Sequence, residues 1–118
     1  MRIIESKMIE AIKNKKNYNG GNTKVITKKN KSFVYLFNNL IAEITDKKVR
    51  INNCGYKTKT TKSRLNAILN EFVGDRQIYQ KDFNWYISGE ILEGYYSCDF
   101  PSGWVEFTNK FILNTFKA

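Results

Sequence analysis

The sequence predicts an α+β fold, in which an N-terminal helix and a second helix pack on one face of an antiparallel sheet of four to six strands. Two segments, residues 2–14 and 61–72, repeat apolar residues at helical spacing, and residues 23–52 alternate apolar and polar residues between short turns. The length of 118 residues suits a single domain, 1–118, with one modest core. A hydrophobic content of 42% excludes a disordered chain.

The first helix is predicted from the spacing of Ile4, Met8 and Ile12. Asn17–Asn22 (NYNGGN) then predicts a loop. Short strands are expected within residues 23–27, 33–37, 40–44 and 49–52, with turns at Lys28–Lys31, at Asn38-Asn39 and at 46–48. The strand at 33–37 is apolar on both faces and should be central, so its aromatic side chains Phe33, Tyr35 and Phe37 are expected in the core rather than stacked on bases.

The second helix is predicted from Leu65, Ile68, Leu69 and Phe72, with Thr60 or Thr61 as its N-cap and Gly74 as its stop signal. A β-hairpin is expected at about 77–88. Residues 89–118 are rich in aromatic residues, and 105–116 fits either a strand continuing into a helix or one helix. Trp85 and the other aromatic residues of this half are expected mostly in the core rather than in a protein-docking patch.

Several functional classes are excluded by what the sequence lacks. The chain has no histidine and two cysteines, so it cannot form a His-ligated zinc site or a Ser–His or Cys–His nucleophile. No nucleotide-binding glycine loop is present. We therefore expect no enzyme, no cofactor and no metal. No apolar run reaches the ~20 residues of a membrane span, so a cytoplasmic protein with no membrane partner is expected.

The positive charge is concentrated in one half of the chain. The formal net charge is +9, and residues 1–64 contain 16 Lys and Arg against 4 Asp and Glu. An A/T-rich genome could enrich lysine, but it does not explain this uneven distribution. Charge asymmetry of this kind indicates a polyanionic partner for the first half.

Two groups of residues are candidates for contacting phosphates. The first is the turn before the second helix, where helix amides, hydroxyls and cations meet; its members are Lys57, Lys59, Thr60, Thr61, Lys62 and Arg64. Lys62 and Arg64 would lie near the helix start, where the helix dipole disfavours cations, and a bound phosphate would compensate. Helix capping by a threonine is the simpler alternative, and both can hold. The second group is a lysine-rich band, which could equally be a solvated loop and edge strand; its members are Lys13, Lys15 and Lys16 at the end of the first helix and Lys24, Lys28, Lys29 and Lys31 in the strands and turn that follow.

The strings NNLIAEI (38–44), CGYKTKTTKSRLNAIL (54–69) and QIYQKDFNWYI (77–87) resemble a family of small tailed-phage proteins of unknown function. The resemblance covers about residues 22–88, and TTKSRLN is its most distinctive part. The first helix and the segment after Ser88 lie outside it. It implies a phage origin, hence the cytoplasm of a bacterial host, but no particular activity.

Three functions follow as hypotheses. The first is a phage accessory protein that binds DNA or RNA, mainly at the phosphate backbone, through a lysine-rich face. The second is an anti-defence or host-takeover inhibitor, similar in action to an anti-CRISPR protein, that docks onto a bacterial protein. The third is sequestration of a nucleotide signal.

Overall fold

A computed structural model of the chain describes residues 2–56, 58–74, 77–81, 84–89, 94–97 and 105–108. These residues form two helices and nine strands: α1 (Ile3–Asn14), β1 (Tyr18–Gly20), β2 (Thr23–Lys28), β3 (Lys31–Leu36), β4 (Asn39–Ile44), β5 (Lys48–Ile51), α2 (Lys59–Phe72), β6 (Gln77–Lys81), β7 (Asn84–Gly89), β8 (Gly94–Ser97) and β9 (Val105–Thr108). The α+β prediction is confirmed.

The main sheet is an antiparallel meander of five strands, to which a strand from near the end of the chain is added. Its strand order is β1-β2-β3-β4-β5-β9, so β9 returns from the end of the chain to pair with β5. This pairing makes residues 105–108 a strand. The predicted hairpin at 77–88 is also confirmed as β6 and β7, but with β8 it forms a second, three-stranded sheet that the sequence analysis did not anticipate.

The turns of the meander follow the predicted pattern with two corrections. Lys29 and Asn30 join β2 to β3 with positive φ at both residues, as a type I′ turn requires. The next turn is made by Phe37 and Asn38, one residue earlier than predicted, because the register pairs Leu36 with Asn39. The predicted loop at 17–22 instead contains β1, whose three residues pair with β2.

The core lies between the helices and one face of the main sheet. Met8 and Ile12 of α1, and Leu65, Ile68 and Phe72 of α2, are buried together with the inward-facing residues of the strands. On β3 those inward residues are Ser32, Val34 and Leu36. Phe33 and Tyr35 therefore point to the other face and are only half-buried, while Phe37 is exposed, so the expectation that these aromatic residues form the core is wrong.

Helix α2 starts earlier than the sequence suggested. The Oγ1 of Thr58 accepts a hydrogen bond from the backbone N–H of Thr61, which makes Thr58 the N-cap, not Thr60 or Thr61. The helix ends at Phe72, and Gly74 follows at φ 101°, as its role as a stop signal predicts. Trp85 is fully buried, in agreement with its predicted place in the core. No helix in the described ranges is long and apolar enough to cross a membrane.

Candidate nucleic-acid interface

Arg64, a predicted phosphate ligand, is an interior residue. Its side chain is 3% exposed, and Nη1 lies 2.6 Å from the Oε2 of Glu5 on α1. Nε donates to the hydroxyl of Thr23 at 2.9 Å, and the hydroxyl of Ser63 donates to the same Glu5 oxygen at 2.5 Å. A cation surrounded in this way is not available to an external phosphate. The prediction that Arg64 contacts a bound anion is therefore wrong.

Glu5 supplies the compensating negative charge that the sequence analysis assigned to a phosphate. Burial raises the pKa of the Glu5 carboxyl, but hydrogen bonds from Ser63 and Arg64, together with the Arg64 charge, lower that pKa by more. The result is a pKa below the ordinary glutamate value, so Glu5 is ionised at neutral pH. Arg64 and Glu5 thus form a buried ion pair that joins α2 to α1.

The hydroxyls at the start of α2 are also largely used by the fold. Thr61 is 2% exposed, and its hydroxyl lies 3.0 Å from the hydroxyl of Thr58. Thr60 is half-buried in the first turn. Lys57 lies outside the described residues. The capping alternative therefore explains Thr58 and Thr61 without a ligand.

Lys59 and Lys62 remain on the surface of α2. They line a polar groove of about 480 Å³ together with Ser63, Asn66 and the acidic Glu5. A phosphate in this groove would approach the two lysines and the helix N-terminus, which favours it, but also the Glu5 carboxylate, which does not. Among the predicted cations of the turn that the structure describes, these two are placed to meet an anion, and Arg64 is not.

The predicted lysine-rich band is divided, because Lys13, Lys15 and Lys16 lie at the end of α1, whereas its β2 and β3 lysines lie on the opposite side of the main sheet. Thr23 faces α2 through its contact with Arg64, so its strand neighbour Lys24 faces away from the helices. The strand register places further outward residues beside Lys24. We define the outer sheet face by Lys24, Ile26, Lys28, Lys31, Phe33, Tyr35, Glu43, Lys48 and Arg50.

Two aromatic residues lie among the cations of this face. Tyr35 is directly opposite Lys24 across β2 and β3, and the Nζ of Lys24 lies 5.3 Å from the centre of the tyrosine ring. Phe33 lies two residues before Tyr35 on β3, opposite Ile26. Because the register alternates, both rings lie on the same face as the lysines. The face combines cations with flat apolar rings.

The charge of the outer sheet face is only partly neutralised. Glu43 accepts a hydrogen bond from Nη1 of Arg50 at 3.2 Å and lies 3.7 Å from Nζ of Lys31. Within the described residues, no carboxylate is within ion-pair distance of Lys28, and Lys28 faces Lys31 directly across the hairpin. Like charges placed opposite each other repel, which destabilises a sheet, and a bound anion relieves that repulsion. This end of the face therefore attracts anions.

The structure thus divides the predicted site into two surfaces. Lys24, Lys28, Lys29 and Lys31 lie on or beside the outer sheet face, whereas Lys59 and Lys62 lie on α2 across the core. Lys48 and Arg50, which the sequence did not single out, also belong to the outer sheet face, because Arg50 pairs with Glu43 and Lys48 has the same parity on β5. The alternation of residues 48–51 predicts that Lys48 and Arg50 share one face of a strand. Assigning that face to the outside of the sheet requires knowing which side of β5 is buried.

Comparison with known proteins identifies a phage family. The family model described as Kyanoviridae Gp96 protein matches residues 1–112. Kyanoviridae are tailed cyanophages, so the predicted likeness to tailed-phage proteins is confirmed, and the match also includes α1 and most of the segment after Ser88. No curated protein and no solved structure matches the chain. The chain therefore belongs to the Kyanoviridae Gp96 family of phage proteins.

Proposed function

We propose that this protein is a non-enzymatic phage accessory protein that binds single-stranded nucleic acid through the outer sheet face. The observation that carries the proposal is the shared position of the cations Lys24 and Lys28 and the rings of Phe33 and Tyr35 on the face of the sheet that is turned away from the helices. Proteins that bind single strands combine cations that follow the phosphate backbone with aromatic rings on which bases stack. An unpaired strand can use both features, whereas a duplex hides its bases.

The chemistry of the cations favours backbone contacts over base reading. Lysine carries a compact charge on a flexible stem, while bidentate recognition of guanine is mainly a property of arginine. The cations of the outer sheet face are lysines except for Arg50, which Glu43 already engages at 3.2 Å. We therefore propose binding that tolerates many sequences and that weakens steeply with salt.

Fluorescence anisotropy with labelled single-stranded and duplex oligonucleotides at ~50 mM salt tests this proposal, because phosphate contacts are strong there. The informative variant is Lys28→Gln combined with Lys29→Gln, which removes two charges from the exposed β2–β3 turn. The matched control is Lys7→Gln combined with Lys16→Gln, which removes two exposed charges from the helix side. We expect the first pair, and not the second, to weaken binding severalfold.

The proposal is wrong if the wild-type protein binds neither DNA nor RNA at this salt concentration. It is also wrong if both double variants weaken binding equally, because the effect would then reflect net charge and not this face. In either case docking onto a host protein becomes the hypothesis to test, by capture from a nuclease-treated bacterial lysate.

A further inference from the structure

A cavity of about 290 Å³ lies at the end of the main sheet, beside the start of α2. Leu36 and Ile41 give it apolar walls, and Thr58 and Thr61 line it from the helix side. Small-molecule pockets in proteins start at about 300 Å³, so this cavity suits a ligand the size of one planar ring system. It lies apart from the outer sheet face, because Leu36, Ile41 and Thr61 are all turned into the core.

Asn53 is one of the residues that line this cavity, and the described residues leave its side-chain hydrogen-bond donor unused. The residue is 1% exposed, and its Oδ1 accepts from the backbone N–H of Gly55 at 2.8 Å, which fixes the orientation of the amide. The Nδ2 group is buried and has no hydrogen-bond partner among the described residues. A buried donor without a partner is destabilising, and the large majority of such groups in native proteins are paired. A ligand atom that accepts a hydrogen bond at this wall of the cavity would pair Nδ2.

Two exposed aromatic rings line the same cavity. Phe37 is 66% exposed and Tyr56 is 56% exposed. Phe37 also adopts φ 50° at the first position of its turn, a region of φ that asparagine and glycine tolerate best; the same position of the neighbouring hairpin is Lys29 at φ 49°. Positive φ is costly for a bulky residue, and at Phe37 it accompanies a large apolar ring that lies mostly in solvent. Strain of this type is often kept at ligand-binding positions.

We propose that the cavity binds a single nucleobase. The base would lie against the rings of Phe37 and Tyr56 while one of its carbonyl or ring-nitrogen acceptors receives the hydrogen bond from Asn53 Nδ2. The adjoining N-terminus of α2 favours the phosphate that a nucleotide carries. An apolar side chain of a partner protein would fill the cavity equally well but would leave Nδ2 unpaired, so a base fits the site better.

The base can come from a free nucleotide or from an unpaired position in a strand. Isothermal titration calorimetry with AMP, GMP, CMP and UMP tests the first source. Anisotropy with a single strand, compared with the same strand carrying one abasic position, tests the second. The mononucleotide measurement does not depend on the outer sheet face, so the cavity proposal can succeed or fail separately from the proposed function.

The main variant is Phe37→Asn. Asparagine tolerates positive φ, so this change should raise the Tm while it removes the ring. We expect roughly 5- to 150-fold weaker binding of the base, which is the range found when a stacking side chain is replaced by alanine. Tyr56→Ala should act in the same direction, whereas Tyr56→Phe, which keeps the ring, should retain binding. Asn53→Asp keeps the acceptor for Gly55 but loses the donor, and should also weaken binding.

If the wild-type protein binds a mononucleotide and Phe37→Asn and Tyr56→Ala do not, the cavity is a site for a free nucleotide. If an abasic position weakens strand binding by the wild-type protein but not by Phe37→Asn, the cavity captures a base within a strand. If neither probe binds, or if Phe37→Asn binds both as well as the wild type, the cavity does not hold a base and the proposal is overturned. Unchanged or higher Tm in the variant ensures that a loss of binding does not come from unfolding.

Discussion

Arg64 shows how a residue's role depends on a partner distant in the sequence. Two cations near a helix N-terminus conflict with the helix dipole, which made a bound phosphate a reasonable inference. The structure resolves that conflict internally, because Glu5 lies 59 residues away in sequence and 2.6 Å away in space. Local rules predicted that an anion is needed at Arg64. They could not predict that α1 provides it, since that depends on how the helices pack.

The buried ion pair leads to a prediction about stability. Glu5→Gln removes the charge that Arg64 needs and leaves a guanidinium buried without a counterion. Breaking one partner of a buried pair costs about 3–5 kcal/mol, so we expect a loss of that size in the free energy of unfolding at pH 7. Urea denaturation measures it. Glu10→Gln, an exposed site on the same helix, is the matched control and should change stability little.

The same pair predicts a pH dependence with a definite sign. Because the pKa of Glu5 is lower in the folded protein than in the unfolded chain, its contribution is complete above the unfolded value of about 4.3. The contribution is lost as the pH falls through the folded pKa. Wild-type stability should therefore fall more steeply than that of Glu5→Gln below pH ~4.3. Parallel curves for the two proteins would show that Glu5 is not the titrating group.

At the scale of elements, the string TTKSRLN (60–66) is mostly explained by the fold. Thr61 accompanies the cap of α2, and Ser63 and Arg64 bind Glu5 of α1. Asn66 makes a two-way contact with β6: its Oδ1 accepts from the N–H of Ile78 at 2.6 Å, and its Nδ2 donates to the carbonyl of Ile78 at 3.0 Å. The string therefore places α2 between α1 and the second sheet.

The two-way contact of Asn66 predicts that one side chain holds β6 against α2. Asn66→Ala leaves the N–H and the carbonyl of Ile78 without their partner, and an unsatisfied buried group costs about 1–3 kcal/mol. We expect a destabilisation of that size, with amide hydrogen exchange accelerated at Ile78 of the second sheet more than in the main sheet. Asn70→Ala, one turn later at an exposed position of α2, serves as the control. Equal exchange in both variants would contradict the role assigned to Asn66.

The elements themselves were largely predictable from the sequence, but their partners were not. Helical spacing at 2–14 and 61–72 and turn residues such as Asn30 report local geometry, and the structure agrees with them within two or three residues. The pairing of β9 with β5 joins residues more than fifty positions apart, and no local pattern encodes it. Phe33 and Tyr35 were misplaced because alternation shows that a strand has two faces, not which face the helices cover.

At the scale of the whole molecule, the positive charge of the first half is distributed over different surfaces. The lysines of β2 and β3 and those of α2 lie on opposite sides of the core, and Arg64 lies within it. A polyanion on the outer sheet face therefore gains from fewer cations than the sequence total suggests. It also gains from stacking on the rings of Phe33 and Tyr35, which a count of charges does not include.

Charge and stacking should be separable by their salt dependence. Phosphate contacts release counterions, so each lost lysine contact should flatten the plot of log affinity against log salt by about 0.7 for a single strand. Lys28→Gln with Lys29→Gln should therefore reduce the slope, and Phe33→Ala or Tyr35→Ala should lower the affinity by a similar factor at every salt concentration. Lys59→Gln with Lys62→Gln, across the core, should change neither. If the helix pair flattens the slope and the hairpin pair does not, the strand follows α2, and the rings of the outer sheet face are not its binding surface.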